Sequence, residues 1–77
     1  MNKPLAPKPE FETGLYRHYK GNEYTLVDVV MHSETQEWMV LYRPMYGEAG
    51  LWVRPYTMFF EKVERADGQL IDRFLRL

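Results

Sequence analysis

The sequence has 77 residues, no cysteine, two histidines and a formal net charge of −1 from 10 basic and 11 acidic side chains. The lack of cysteine excludes disulfide bonds, thiolate chemistry and cysteine zinc sites. The charge balance lacks the basic excess of a non-specific nucleic-acid binder. A chain this short is expected to form one domain, and its 6 Tyr, 4 Phe and 2 Trp provide wide rings for a small all-β core.

Residues 1–13 contain three prolines and two lysines. This composition predicts a flexible, extended arm ahead of a single domain over residues 14–77. The arm lacks the apolar stretch of a signal peptide, and no apolar run approaches the roughly 20 residues of a membrane helix. We therefore expect a cytoplasmic protein with no membrane contact.

Two strands with a turn between them are predicted next. Residues 15–20 alternate in polarity, and Gly21 and Asn22 tolerate the positive φ of a tight turn. Residues 24–32 are rich in the β-branched and aromatic side chains that favour strands. The period of two indicates an antiparallel sheet that buries one face.

A hairpin is predicted from residues 24–32, a turn at 33–36 and a strand at 37–43. This register pairs Met31 with Trp38, Val29 with Val40, and Val27 with Tyr42. It gives the hairpin one strongly apolar face, which a slip of one residue would destroy.

The rest of the chain reads as short elements separated by turns. We predict a loop at 44–50, a strand at 51–54, a helical turn at 55–58, extended structure at 59–64, a turn at 66–68 and a closing strand at 70–77. Five or six short strands with one helical turn indicate a mainly all-β protein with a small antiparallel SH3-like barrel. An OB-like barrel is the alternative.

The segment His32-Ser33-Glu34-Thr35 has the composition of a catalytic group, but a hairpin turn explains it better. Neighbouring strand residues point to opposite faces, so His32 and Ser33 are poorly placed for a nucleophilic relay. A small hydrolase or transferase that uses His32 with Glu34 or Glu37 as acid and base remains the alternative function. No spacing matches a metal site, and no cofactor is expected.

A groove is predicted on the face that Trp52 and Arg54 share, beside the loop that carries Tyr46. Trp38 is assigned to the core by its pairing, which leaves Trp52 for the groove. The groove is expected between the 33–36 turn and the 44–50 loop. The candidate ligand-binding residues are Arg17, His32, Glu34, Arg43, Tyr46, Trp52 and Arg54.

The sequence also resembles a bacterial family of small domains of unknown function, over residues 14–74. The shared motifs are Gly14-Leu15-Tyr16-Arg17-His18-Tyr19-Lys20-Gly21, His32-Ser33-Glu34-Thr35, Tyr42-Arg43, Trp52-Val53-Arg54-Pro55, Met58-Phe59 and Arg73-Phe74. The resemblance implies a compact, β-rich and SH3-like domain and supplies no catalytic assignment.

Aromatic rings beside guanidinium groups predict a non-catalytic binding module. Such a surface suits a small anionic ligand, a peptide or RNA. The protein is expected to be a monomer or a weak homodimer.

Overall fold

The computed structural model describes residues 6–47 and 50–77. Its strands and single short helix occur in the order β1 (Gly14–His18), β2 (Glu23–Met31), β3 (Trp38–Pro44), β4 (Trp52–Pro55), α1 (Tyr56–Phe59), β5 (Lys62–Glu64), β6 (Leu70–Asp72) and β7 (Phe74–Arg76). The predicted all-β class and the single helical turn are confirmed.

The β2–β3 hairpin follows the predicted register at its turn end and departs from it further along. Met31 pairs with Trp38 and Val29 with Val40, as expected, but Tyr42 pairs with Leu26. A β-bulge at Val27 adds one residue to β2, so the predicted pairing of Val27 with Tyr42 is wrong. The bulge places Leu26 in the core and leaves Val27 37% exposed.

The main sheet has five antiparallel strands in the order β4-β3-β2-β1-β7, and β5 and β6 form a separate pair. Within the described ranges the five-stranded sheet is open, with β4 and β7 at its edges, so the expected closed barrel is not found. The described residues form seven strands rather than six, because the expected closing strand is broken at Arg73. Its first half pairs with β5 and its second half with β1.

The core lies on one face of the main sheet and is dominated by aromatic rings. Phe59 and Phe74 stack with their centroids 4.0 Å apart, and Tyr16 meets Phe59 edge-on at 5.5 Å. Helix α1 follows Pro55 and places Phe59 at 0% exposure against the sheet. The other buried core residues are Leu26, Val29, Val40 and Tyr42.

Part of the N-terminal arm lies against this core. Phe11 packs on the buried cluster, and the Tyr16 hydroxyl donates a hydrogen bond to the Glu12 carbonyl at 2.8 Å. The indole Nε1 of Trp38 donates to the Ala6 carbonyl at 3.1 Å. Residues 1–5 of the predicted flexible arm lie outside the described residues.

Candidate functional site

The His32 segment forms the turn between β2 and β3. The Gln36 amide donates to the His32 carbonyl at 2.8 Å, and the His32 amide donates to the Glu37 carbonyl at 2.9 Å. The imidazole Nδ1 accepts hydrogen bonds from the amides of Glu34 and Thr35 at 3.1 and 3.2 Å. This ring nitrogen therefore holds the turn, which favours a structural role for His32.

The turn and the 44–50 loop lie at opposite ends of β3. Since β3 has seven residues, about 20 Å separates His32 and Glu34 from the loop. The structure thus does not bring these two candidates together with Tyr46 and Trp52. Glu48, which lies in the loop, falls outside the described residues.

Three of the candidates, Tyr46, Trp52 and Arg54, lie on the same side of the sheet and are linked through core residues rather than by direct contact. Trp52 pairs with the core residue Tyr42, and Arg54 pairs with Val40, so both share the core-facing side of β4. Trp52 is 57% exposed because β4 is an edge strand and Trp52 begins it. Gly50 lies beside its indole, where a side chain would come within 3.6 Å of Nε1.

Tyr46 joins this group through Tyr24. Their hydroxyl oxygens lie 3.1 Å apart and their ring centroids 5.9 Å apart. The Tyr24 ring in turn contacts Tyr42 and Phe74, with centroids at 5.4 and 5.5 Å. Burial and the hydrogen bond with Tyr46 raise the pKa of Tyr24 above its ordinary value.

Arg54 supplies the positive charge of this surface. Its guanidinium carbon lies 5.4 Å from the centroid of the Phe74 ring, a cation–π contact. Within residues 6–47 and 50–77, no carboxylate lies at ion-pair distance from Arg54. A half-buried guanidinium without a carboxylate has donors available for a ligand.

His18 belongs to the same neighbourhood. Its ring meets Phe74 edge-on at 4.8 Å, and its Nδ1 accepts the Lys20 amide at 3.1 Å. Burial, and then the charges of Arg54, Arg73 and Lys20, lower the pKa of His18. The histidine is therefore neutral near pH 7, and Arg54 is the cation at this position.

We call Tyr24, Tyr46, Trp52, Arg54 and Phe74 the Trp52 surface. Trp52 and Tyr46 are its exposed rings, Tyr24 and Arg54 are partly buried, and Phe74 is the buried ring against which these two pack. Rings that are held by other rings and a fixed cation can stack a flat ligand and bind an anion attached to it.

The remaining two candidates point away from the Trp52 surface. Arg17 alternates with the buried Tyr16, and its Nη2 lies 2.9 Å from Glu23 Oε2. Arg43 alternates with the buried Tyr42 and pairs with Thr25 on the same outer face. Arg17 is thus occupied by an ion pair, and Arg43 is on the wrong side of the sheet for this surface.

Tyr24 and Phe74 were missing from the candidates predicted from sequence. Tyr24 could have been identified from alternation along β2. Alternation places it on the core-facing side of the sheet, beside Tyr42 of the neighbouring strand. Phe74 required the knowledge that the last strand pairs with β1, which no local pattern contains.

The described part of the chain lacks two kinds of feature. No three His, Asp or Glu side chains there converge in a group able to hold a metal ion. No helix there is both long and apolar enough to span a membrane.

Comparison with known proteins places the chain in a family. A family model described as a protein of unknown function, DUF1653, matches residues 14–76. The chain belongs to the DUF1653 family. It is similar to a crystal structure of a DUF1653 protein from Bordetella bronchiseptica, with 33% identity, 88% of each chain covered and a TM-score of 0.79. No curated protein matches the sequence.

Proposed function

We propose that this DUF1653 domain is a non-catalytic binding module whose Trp52 surface binds a phosphate attached to a flat ring, the chemistry of a nucleotide. The observation that carries the proposal is the half-buried Arg54 guanidinium, which lies on Phe74 with no carboxylate at ion-pair distance in the described residues. Its donors suit a phosphate, which guanidinium groups bind in a bidentate manner.

The exposed rings support the choice of a flat ligand. Trp52 and Tyr46 are 57% and 51% exposed, which is unusual for large rings beside a packed core. Tyr24 fixes Tyr46 through the contact between their hydroxyl groups, so the ring is already positioned before a ligand arrives. Stacking of one base on an aromatic side chain contributes about 1–3 kcal/mol.

The net charge of −1 favours a small ligand over a long nucleic acid. A polyanion would also meet the acidic side chains elsewhere on the domain, whereas a single nucleotide meets only this local surface. We further propose that residues 14–77 form one domain that acts in the cytoplasm. We propose an SH3-like class with an open sheet, on the basis of the short strands and the single helical turn.

A titration with AMP, adenosine and inorganic phosphate tests the two halves of this surface separately. AMP is expected to bind more tightly than either component, because only AMP uses both the rings and Arg54. Arg54→Ala is expected to weaken AMP binding about tenfold and to leave adenosine binding nearly unchanged. Isothermal calorimetry or NMR gives the dissociation constants.

Arg43→Ala is the matched control, since Arg43 belongs to the neighbouring strand and points to the opposite face. It should bind AMP like the wild type. Equal losses for Arg54→Ala and Arg43→Ala would indicate a general effect of net charge and would overturn the proposal. So would the absence of AMP binding at millimolar concentration, while binding of a carboxylate peptide instead would identify a different ligand class.

A further inference from the structure

We infer that the groove between Trp38 and Tyr56 is a second binding site, which takes an extended proline-containing peptide of another protein. It lies at the turn end of the sheet, away from the Trp52 surface. In the structure the arm of the same chain occupies it. The occupied groove shows which chemistry it recognises.

The groove binds the backbone of the arm through two aromatic side chains. The Trp38 indole Nε1 donates to the Ala6 carbonyl at 3.1 Å, and the Tyr56 hydroxyl donates to the Glu10 carbonyl at 2.9 Å. Pro7 and Pro9 lie between these two carbonyl groups and line the groove. Aromatic donors that bind carbonyls around proline rings are the usual means of recognising extended proline-rich segments.

A charged contact beside the groove gives it a preference for a basic residue. The Lys8 Nζ lies 3.2 Å from Asp28 Oδ1 and 5.3 Å from the Phe11 ring centroid. The Val29 amide also donates to Asp28 Oδ1, at 2.7 Å, and this bond and then Lys8 lower the pKa of Asp28. The carboxylate is therefore ionised and positioned at the β2 bulge. It complements a lysine between two prolines.

The arm does not fill the groove. A cavity of about 420 Å³ remains among Pro7, Pro9, Trp38, Tyr56 and neighbouring side chains. The contacts that hold the arm here are exposed, and exposed ion pairs and hydrogen bonds contribute little to stability. A peptide that fills the cavity can therefore displace residues 6–10.

The test uses the full-length, ¹⁵N-labelled chain and the peptide acetyl-Leu-Pro-Lys-Pro-Glu-Phe-amide, which repeats residues 6–11 with leucine in the place of Ala6 so that its side chain can enter the cavity. The reporter is the indole N–H signal of Trp38, with the Trp52 indole as the internal control. The peptide is expected to shift Trp38 and leave Trp52 in place. Lys8→Ala weakens the competing arm, so this variant should bind the peptide at least threefold more tightly than the wild type.

A variant and a modified peptide test the chemistry of recognition. Asp28→Asn is made in the Lys8→Ala background, where the arm no longer contacts Asp28, so only the peptide is affected by it. This substitution keeps an acceptor for the Val29 amide and removes the charge, so it should weaken binding of the lysine peptide relative to Lys8→Ala alone. A peptide with both prolines replaced by alanine should bind at least fivefold more weakly than the original.

Three outcomes would overturn the inference. The first is no Trp38 shift at millimolar peptide in either the wild type or Lys8→Ala. The second is equal binding of the peptides with and without proline. The third is a Trp38 shift that follows protein concentration without peptide, which would identify the occupant as the arm of a second copy. Since AMP and the peptide report at different tryptophans, failure here leaves the proposed function untouched.

Discussion

The two tryptophans lie at opposite ends of the same sheet and have opposite environments. Trp38 pairs with Met31 at the turn end, packs on the core and donates its indole N–H to the arm. Trp52 pairs with Tyr42 at the loop end and is 57% exposed. The difference arises from what the chain places over each ring. Residues 6–11 cover Trp38, whereas Trp52 begins an edge strand.

This comparison separates a ring that the arm of the same chain covers from a ring that is mostly exposed. Both rings share the core-facing side of the sheet, and both have cross-strand partners. Position on a face therefore does not decide the role of an aromatic residue in a domain of this size. The role depends on whether another segment of the chain accepts a hydrogen bond from the side chain and shields its ring from water.

The largest effect is expected from a substitution in the core, on which both ends of the sheet depend. Phe59 is fully buried, stacks on Phe74 and contacts Tyr16 and Tyr42. Phe59→Ala should lower the free energy of unfolding by about 3–5 kcal/mol. Denaturant unfolding followed by tryptophan fluorescence measures this loss. Val53→Ala, at an exposed site on β4, should change the stability by less than about 0.5 kcal/mol.

The same substitution at both tryptophans tests the comparison directly. Trp38→Phe removes the hydrogen bond to the Ala6 carbonyl and part of the packing on the core. It should lower the free energy of unfolding by about 1 kcal/mol. Trp52→Phe should change it by less than about 0.5 kcal/mol, since Trp52 is mostly exposed. Equal losses in thermal or denaturant unfolding would mean that the two rings do not differ as described.

A pH titration sharpens the description of the loop end. The pKa of His18 is lowered in the folded protein, so the unfolded chain binds more protons at mildly acidic pH. Its contribution to stability is therefore fully present above about pH 6.5 and is lost as the pH falls through the folded-state pKa. Unfolding curves at pH 7.5, 6.5 and 5.5 measure this decline.

His18→Gln is the control for this titration, because glutamine can still accept the Lys20 amide but does not titrate. Its stability should vary less over the same range than that of the wild type. Parallel pH profiles for the two proteins would show that His18 does not cause the acid sensitivity. Asp28, whose pKa is also lowered, affects stability only at lower pH.

The smallest effect is expected in the turn between β2 and β3, at the opposite end of the sheet from His18. Gln36 has a φ of 59°, in the left-handed region that side chains other than glycine rarely adopt. Gln36→Gly should relieve this strain, but the greater freedom of glycine in the unfolded chain offsets part of the gain. The free energy of unfolding should therefore rise by less than about 0.5 kcal/mol. A loss of stability instead would indicate that the Gln36 side chain makes a contact that the turn needs.

The sequence was sufficient to predict the all-β class, the single helical turn and the first two residue pairs of the β2–β3 hairpin. Alternation also predicted that Trp52 and Arg54 share a face and that Trp38 belongs to the core. The bulge at Val27 was missed because a strand is recognised in the sequence by its types of residue. One extra residue does not change these types. At the bulge the Asp28 side chain accepts the Val29 amide, a contact that the alternation of the strand does not indicate.

The structure separates residues that were predicted to line one groove, because they lie at opposite ends of the sheet. A turn before β3 and a loop after it cannot be neighbours along a straight strand, so His32 and Glu34 separate from Tyr46 and Trp52. Arg43 was assigned to the groove, although its alternation with Tyr42 already placed it on the opposite face of the sheet. The docking of Ala6 on Trp38 joins residues 32 positions apart, and no local pattern indicates such a contact.

The central claim is that AMP binds at Trp52 and not at Trp38, which the arm of the same chain covers. One ¹⁵N–¹H NMR titration of the full-length protein with AMP tests it, since each indole gives its own N–H signal. The account predicts that the Trp52 signal shifts in a saturable manner while the Trp38 signal stays in place. A shift of Trp38 alone, or equal shifts of both signals, would contradict it.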